Sequence, residues 1–99
     1  MKSDIKAIVK QCPMLRLQVN KGERHRIMRS SIRRGSLWIE PRIKGYSINT
    51  TGEVASLMDH FLRTNFGPET GQDSKGRWKT WKISDNADLS RIIRHLSER

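Results

Sequence analysis

The sequence has a single cysteine among 99 residues, few aromatic side chains and no long apolar run. With only Cys12, one chain can form neither an internal disulfide nor a cysteine-based zinc site. Charges interrupt the apolar residues of the N-terminal segment, so it lacks the apolar core of a secretory signal peptide. No stretch approaches the roughly 20 apolar residues of a transmembrane helix, which excludes an integral membrane protein. These absences favour a cytoplasmic location.

Large apolar side chains are also scarce, since Leu, Ile, Val and Phe together supply 22 of the 99 residues. This share lies just above the roughly 20% below which a charged chain tends to stay disordered. The length suits one compact domain and leaves no room for two. We therefore expect a single domain over residues 1–99, with a small core and modest stability.

Positive charge is abundant, because 20 Lys and Arg side chains stand against 10 Asp and Glu, for a formal net charge of +10. Residues 21–44 hold eight basic and two acidic side chains, and six of the eight are Arg. Such a field attracts polyanions, so nucleic acid is the leading partner, ahead of an anionic membrane surface and of acidic proteins. The alternative is a basic chain that owes only its solubility to Lys and Arg.

Three segments have the apolar spacing of amphipathic helices. Their stripes are Ile5, Ile8, Val9 and Cys12; Val54, Leu57, Met58, Phe61 and Leu62; and Leu89, Ile92, Ile93 and Leu96. Thr50 and Glu53 have the spacing of a capping box at the start of the second helix. Asp59 and Arg63 are four residues apart on its polar side, which predicts an ion pair. The candidate N-cap of the first helix is Ser3 or Asp4, and that of the last helix is Asp85 or Asn86.

Other segments alternate apolar and polar residues with the period of two that is typical of strands. Strands are predicted at residues 15–19, 24–32, 37–41, 43–48 and 77–83. A turn around Gly22 joins the first two, because glycine tolerates a positive φ. Pro41 precedes the fourth strand and predicts an edge position or a bend there.

This order of elements predicts an α+β fold, a small antiparallel sheet of three to five strands with helices packed on one face. A winged helix is the main alternative, but it needs two helices before the hairpin and the sequence offers one. Residues 67–76 contain three glycines and no apolar side chain, which predicts an exposed, mobile loop.

An arginine-rich segment is the strongest candidate site, and its members are Arg24, Arg26, Arg29, Arg33 and Arg34. Arg24 and Arg26 share one face of an extended strand, while Arg33 and Arg34 stand next to Gly35 at a turn. Guanidinium groups suit phosphate because they offer a planar fork of donors and keep their charge. The alternative is the solvated charged face of an antiparallel sheet.

A second candidate site is the segment Lys75-Gly-Arg-Trp-Lys-Thr-Trp-Lys82. Trp78 and Trp81 are three residues apart, so they point to opposite faces of a strand, with Trp81 and Ile83 toward the core. An exposed Trp between cations can stack on an unpaired base while the cations hold the backbone. The alternative is that Trp78 covers a sheet edge. The candidate nucleic-acid-binding residues outside the arginine-rich segment are Lys44, Lys75, Arg77, Trp78, Lys79 and Lys82.

Signals of catalysis and metal binding are weak. His25, His60 and His95 are scattered, and no pair has the spacing of metal ligands on a helix. The sequence has no Walker-type glycine loop, no nucleophile elbow and no paired carboxylates on one element. We therefore expect no enzyme, no catalytic residue, no metal and no cofactor. The outer face of the last helix carries Arg91 and Arg94, but an acidic first turn favours an ordinary solvated surface.

Together these features predict a nucleic-acid-binding protein, with DNA slightly favoured over RNA, and a regulator from a mobile element would fit. The alternative is a protein-interaction module or inhibitor that binds an acidic protein surface. A small basic RNase that uses His and Arg is a third hypothesis. The sequence leaves the oligomeric state open.

Overall fold

A computed structural model of the protein describes residues 5–98. Within this range it shows an α+β fold with three α-helices and a six-stranded antiparallel sheet of order β1-β2-β3-β4-β6-β5. The helices are α1 (Ile5–Lys10), α2 (Gly52–Phe66) and α3 (Asn86–Ser97). The strands are β1 (Leu15–Asn20), β2 (Arg24–Arg29), β3 (Leu37–Arg42), β4 (Gly45–Thr51), β5 (Gly71–Gln72) and β6 (Trp78–Ile83). No helix among these residues is both long enough and apolar enough to span a bilayer.

All three helices pack on one face of the sheet, as the sequence predicts. Alternate strand residues such as Ile27, Leu37 and Ile39 are fully buried against them. The predicted stripes of α2 and α3 form most of the helical side of this core, although Leu57 is 39% exposed. α1 is shorter than its stripe, ending at Lys10. The core therefore lies between one sheet face and the helices.

The sheet has six strands rather than the three to five that the sequence predicts, because β5 lies within the predicted loop 67–76. Gly71 and Gln72 pair with Thr80 and Lys79 of β6. This pairing rests on backbone hydrogen bonds, which need no apolar side chain, so the strand leaves no hydrophobic pattern in the sequence. The mobility of the loop stays a prediction.

Asp73 orders the turn between β5 and β6. It accepts hydrogen bonds from the backbone N–H of Arg77 and, at 2.7 Å, from the Arg77 Nε. Desolvation acts to raise the pKa of Asp73, but the hydrogen bonds and positive charge of Arg77 outweigh it and hold that pKa below its ordinary value. This turn therefore depends on the ionised carboxylate, and its stabilisation is lost as the pH falls through the lowered pKa.

Several strand ends differ from the predictions. β2 ends at Arg29, where a turn over residues 30–31 begins, rather than at residue 32. β4 is an inner strand between β3 and β6, so the predicted edge position is wrong. Pro41 is tolerated because it lies in β3 two residues beyond Ile39, the last β3 residue paired with β2.

The predicted capping box of Thr50 and Glu53 is wrong. β4 runs through Thr51, which precedes α2 and makes no side-chain capping bond. The first amides of the helix are satisfied by carbonyls of other segments: Gly52 N–H donates to Arg77 O at 3.3 Å and Glu53 N–H to Arg34 O at 3.0 Å. Tertiary backbone contacts therefore replace the local cap.

The predicted Asp59–Arg63 ion pair is also wrong, because each side chain finds a partner from a different segment. Asp59 binds Lys79 Nζ at 2.7 Å, and Arg63 binds Glu69 at 2.9 Å. At α3 the prediction is confirmed, since the Asp85 side chain accepts from the N–H of Ala87. The candidate caps of α1, Ser3 and Asp4, lie outside the described residues.

Candidate nucleic-acid interface

The sheet face opposite the helices, called the open face below, carries polar, charged and aromatic side chains. Residues directly opposite each other in antiparallel strands share a face, so the pairing register defines rows across the sheet. One such row crosses all six strands in the order Gln18, Arg26, Trp38, Asn49, Thr80 and Gly71. The helices leave this row uncovered, so it is the centre of the candidate site.

Trp38 is the aromatic centre of the row. The Arg24 guanidinium carbon lies 4.5 Å and that of Arg26 5.4 Å from the centroid of its ring. Arg26 is held in place by an Nε–H donated to Ser36 Oγ at 2.8 Å. We call Arg24, Arg26 and Trp38 the Trp38 stack. Its planar guanidinium and indole groups are the kind on which unpaired bases stack.

Glu40 lies on the same face beside the Trp38 stack. Its carboxylate oxygens are 3.6 Å from Arg24 and 3.7 Å from Arg42. Within the described strands, the open-face register carries five cations and this one carboxylate; the cations are Arg16, Arg24, Arg26, Arg42 and Lys82. The open face is therefore strongly positive, and Glu40 is its one carboxylate among the described strands.

Neutral hydrogen-bonding groups occupy the middle of the face. Asn49 donates from Nδ2 to Thr80 Oγ1 at 3.0 Å across β4 and β6. One row along, Ser47 lies opposite the exposed Lys82. Asn49 and Thr80 lie between Trp38 and Trp78, whereas Ser47 and Lys82 lie one row further from Trp78.

The second aromatic position is Trp78, which is 40% exposed and lies opposite Thr51 on the open face. Trp81 is only 1% exposed on the other face, where its indole N–H donates to Gly67 O at 3.0 Å. The predicted opposite orientation of the two tryptophans is therefore confirmed. From the strand spacing and the rise per residue, Trp38 and Trp78 are about 12 Å apart at their Cα atoms.

Cations border the open face at both ends. Exposed Arg33 and Arg34 lie in the loop before β3, whose backbone contacts the start of α2. The start of β6, with Arg77, reaches the same helix end. Gly35 has a φ of +108°, and a Cβ there would meet Thr51 O at 2.2 Å, so the close approach requires glycine. Exposed Lys75, in the turn before β6, lies at this same end, whereas exposed Lys44, in the β3–β4 turn, lies at the other end.

Two candidate residues from the sequence lie away from the open face. Lys79 has the core-facing register and is paired with Asp59. Arg29 is 8% exposed; it donates to Leu96 O at 2.9 Å and to Glu98 O, and so holds the C-terminal end of α3. The structure thus makes Arg29 a connection between β2 and α3.

Replacing Arg29 with Ala is therefore expected to destabilise the fold. The change leaves the carbonyls of Leu96 and Glu98 without their charged donor, at a cost of about 1.5–3 kcal/mol. The matched control is Arg33→Ala, an exposed position, which should stay within about 0.5 kcal/mol of the wild type. Urea denaturation measures both, and equal stabilities of the two variants would contradict the structural role of Arg29.

Sequence reasoning missed Trp38, Arg16, Gln18, Arg42 and Asn49 as candidate site residues. The signal for Trp38 was present, because it lies between the apolar residues Leu37 and Ile39 and must face away from them. Its proximity to Arg24 and Arg26 depends on the β2–β3 register, which no local pattern shows. Long-range pairing therefore assembles the central cluster of the site.

The structure does not bring the histidines together. His25 lies on β2, His60 on α2, and His95 stacks on Phe61 with ring centroids 4.0 Å apart. Among residues 5–98, no group of three or more His, Cys, Asp or Glu side chains is placed to hold a metal ion. On α3, Arg91 is bound to Asp88 and Asn65.

Comparison of the chain with protein-family models, with curated proteins and with solved structures gives no significant match. The functional proposal therefore rests on the geometry of the open face.

Proposed function

We propose that the protein binds nucleic acid on its open face and that the bound strand is unpaired. The observation that carries this proposal is the Trp38 stack, in which an indole and two guanidinium groups lie on a sheet face that no helix covers. Bases stack on such planar groups, whereas surrounding Arg and Lys side chains neutralise phosphates. Asn49 and Thr80 add hydrogen-bonding groups between the aromatic positions.

The shape of the site favours a single strand over a duplex. Six strands at about 4.8 Å spacing make a face about 24 Å across, which is too wide for the roughly 12 Å major groove of B-DNA. Aromatic planes also contribute little to a duplex, because its bases are already stacked and paired. An unpaired strand that runs from Trp38 to Trp78 presents its bases to both. We retain DNA over RNA as the expected partner.

The test uses three fluorescein-labelled probes of twelve nucleotides: a deoxythymidine oligonucleotide, a uridine oligonucleotide and a duplex of mixed sequence. Fluorescence anisotropy measures their binding at several salt concentrations. If four to eight phosphates are neutralised, the logarithm of the affinity should fall with log salt at a slope of roughly −3 to −6 for a single strand. A slope near zero, or tighter binding of the duplex, would overturn the proposal.

A matched pair of variants separates the open face from the general positive field. Arg24→Ala/Arg26→Ala removes two charges from the open face, and Lys6→Ala/Lys10→Ala removes two exposed charges from α1. We expect the first double variant to weaken binding much more and to lower the salt slope by roughly 1–2. Equal losses in the two proteins would mean that only net charge matters.

A further inference from the structure

β1 is an edge strand whose outer side no other described strand pairs with. All six of its residues pair with β2 on the inner side. At the opposite edge of the sheet, by contrast, β5 has only two residues. An exposed strand edge of this length is a template for an added strand unless charge or proline blocks it; β1 contains no proline and one charged residue, Arg16.

The register identifies the backbone groups on the free side of β1. Ser30 N–H donates to Met14 O at 2.8 Å, so this opposite pair is hydrogen-bonded. Opposite pairs in an antiparallel ladder alternate, so the even-numbered residues of β1 bind β2. The N–H and C=O groups of Leu17 and Val19 therefore point away from the sheet, toward the free side.

A groove of about 460 Å³ runs beside this free side, between β1 and α1. Its floor is apolar, and Val19 is 57% exposed. The lining residues are Lys6, Val9, Lys10, Cys12, Pro13, Leu15, Leu17 and Val19. Two of them are exposed lysines, and none of these described residues is acidic. The groove thus combines unpaired backbone donors, an apolar floor and a positive border.

We propose that this edge binds an extended, acidic segment of another protein, which adds to the sheet as a strand beside β1. Its backbone pairs with Leu17 and Val19, and every second side chain is apolar and lies in the groove that Lys6 and Lys10 border. The alternate side chains are carboxylates on the open-face side of the added strand, beside Arg16. This activity goes beyond nucleic-acid binding, because it uses the edge backbone and the groove and shares only Arg16 with the open face.

Charge decides between this partner and a second copy of the chain. Two copies paired edge to edge around a two-fold axis bring the same lysine-bordered grooves together. Each copy carries a formal net charge of +10, so the like charges oppose association. An acidic strand instead brings negative charge to this positive edge.

The probe is an eight-residue peptide of alternating Val and Glu with blocked ends and a fluorescein label, and the control peptide alternates Val and Lys. Val19→Pro removes one outward N–H without removing a β1–β2 hydrogen bond, whereas Val19→Thr keeps the N–H. We expect Val19→Pro to weaken binding of the acidic peptide about tenfold and Val19→Thr to change it less than about twofold. Amide hydrogen exchange of Leu17 and Val19 should slow when the acidic peptide is added.

Lys6→Glu/Lys10→Glu provides a second test that does not depend on proline being tolerated. It should weaken binding of the acidic peptide severalfold, and circular dichroism checks that each variant is folded. Unchanged peptide affinity in this double variant, or equal binding of the Val-Lys peptide, overturns the proposal. So does sedimentation that shows a dimer which Val19→Pro dissociates, since the edge then belongs to a second copy. Oligonucleotide binding should be the same in Val19→Pro as in the wild type.

Discussion

Trp81→Ala is expected to remove most of the stability of this domain. The Trp81 side chain is 1% exposed in the centre of the core, and its N–H is bound to Gly67 O, which ties β6 to the end of α2. Truncating a buried Trp costs about 3–5 kcal/mol. Small domains have only about 5–15 kcal/mol in total, and this core is small, so the variant should be partly unfolded at room temperature.

The control is Trp78→Ala, which removes the same atoms from the open face of the same strand. Because Trp78 is 40% exposed, we expect its loss to cost about 1 kcal/mol or less. Urea denaturation followed by far-UV circular dichroism measures both variants. If the two substitutions cost the same, the assignment of one tryptophan to the core and the other to the open face is wrong.

The sequence predicted correctly the features that depend only on the local periodicity of apolar residues. The stripe of α3 is fully buried at Leu89, Ile92, Ile93 and Leu96, because a period of 3.6 residues leaves only one face for the core. The orientation of Trp78 and Trp81 follows in the same way from the period of two in a strand. These periods are properties of the backbone and need no knowledge of the partner element.

Tertiary contacts determine the features that the sequence did not predict. The start of α2 has the spacing of a capping box, yet its first amides donate to the carbonyls of Arg34 and Arg77. Arg29 belongs by composition to a basic segment, but the register turns it toward the core, where the end of α3 accepts its hydrogen bonds. β5 has no apolar residue and forms only because β6 is beside it. The local spacing of residues in the sequence predicts none of these contacts.

The candidate site combines both kinds of information. Arg24 and Arg26 were predicted to share a face, which needs only a strand. Trp38 joins them because β2 and β3 pair with Arg26 opposite Trp38, across a seven-residue loop that fixes no register by itself. Gly35 permits that loop to contact α2, since any Cβ there would meet backbone. The basic character of the site and the outward direction of Trp38 were therefore predictable, but the contact of Trp38 with Arg24 and Arg26 was not.

Trp38→Ala should cause the largest loss of nucleic-acid binding among single substitutions on the open face. It removes the ring over which Arg24 and Arg26 lie, so the base loses its stacking surface and both guanidinium groups lose their support. Stacking of one base on an aromatic side chain contributes about 1–3 kcal/mol, which corresponds to roughly 5- to 150-fold in affinity. Trp38→Phe keeps an aromatic plane and should retain most of the binding.

Trp78→Ala tests whether the bound strand reaches the second aromatic position. If Trp78 stacks on a separate base, its loss should also weaken binding to the deoxythymidine oligonucleotide, by about 1–3 kcal/mol. The two positions are about 12 Å apart, so the losses in the Trp38→Ala/Trp78→Ala double variant should add.

Quenching of tryptophan fluorescence by the oligonucleotide should decrease in each of Trp38→Phe and Trp78→Phe, because Trp81 is buried away from the strand. Unchanged affinity and quenching in the Trp78 variants would confine the site to the Trp38 stack, and unchanged affinity in Trp38→Ala would remove the open face as the binding surface.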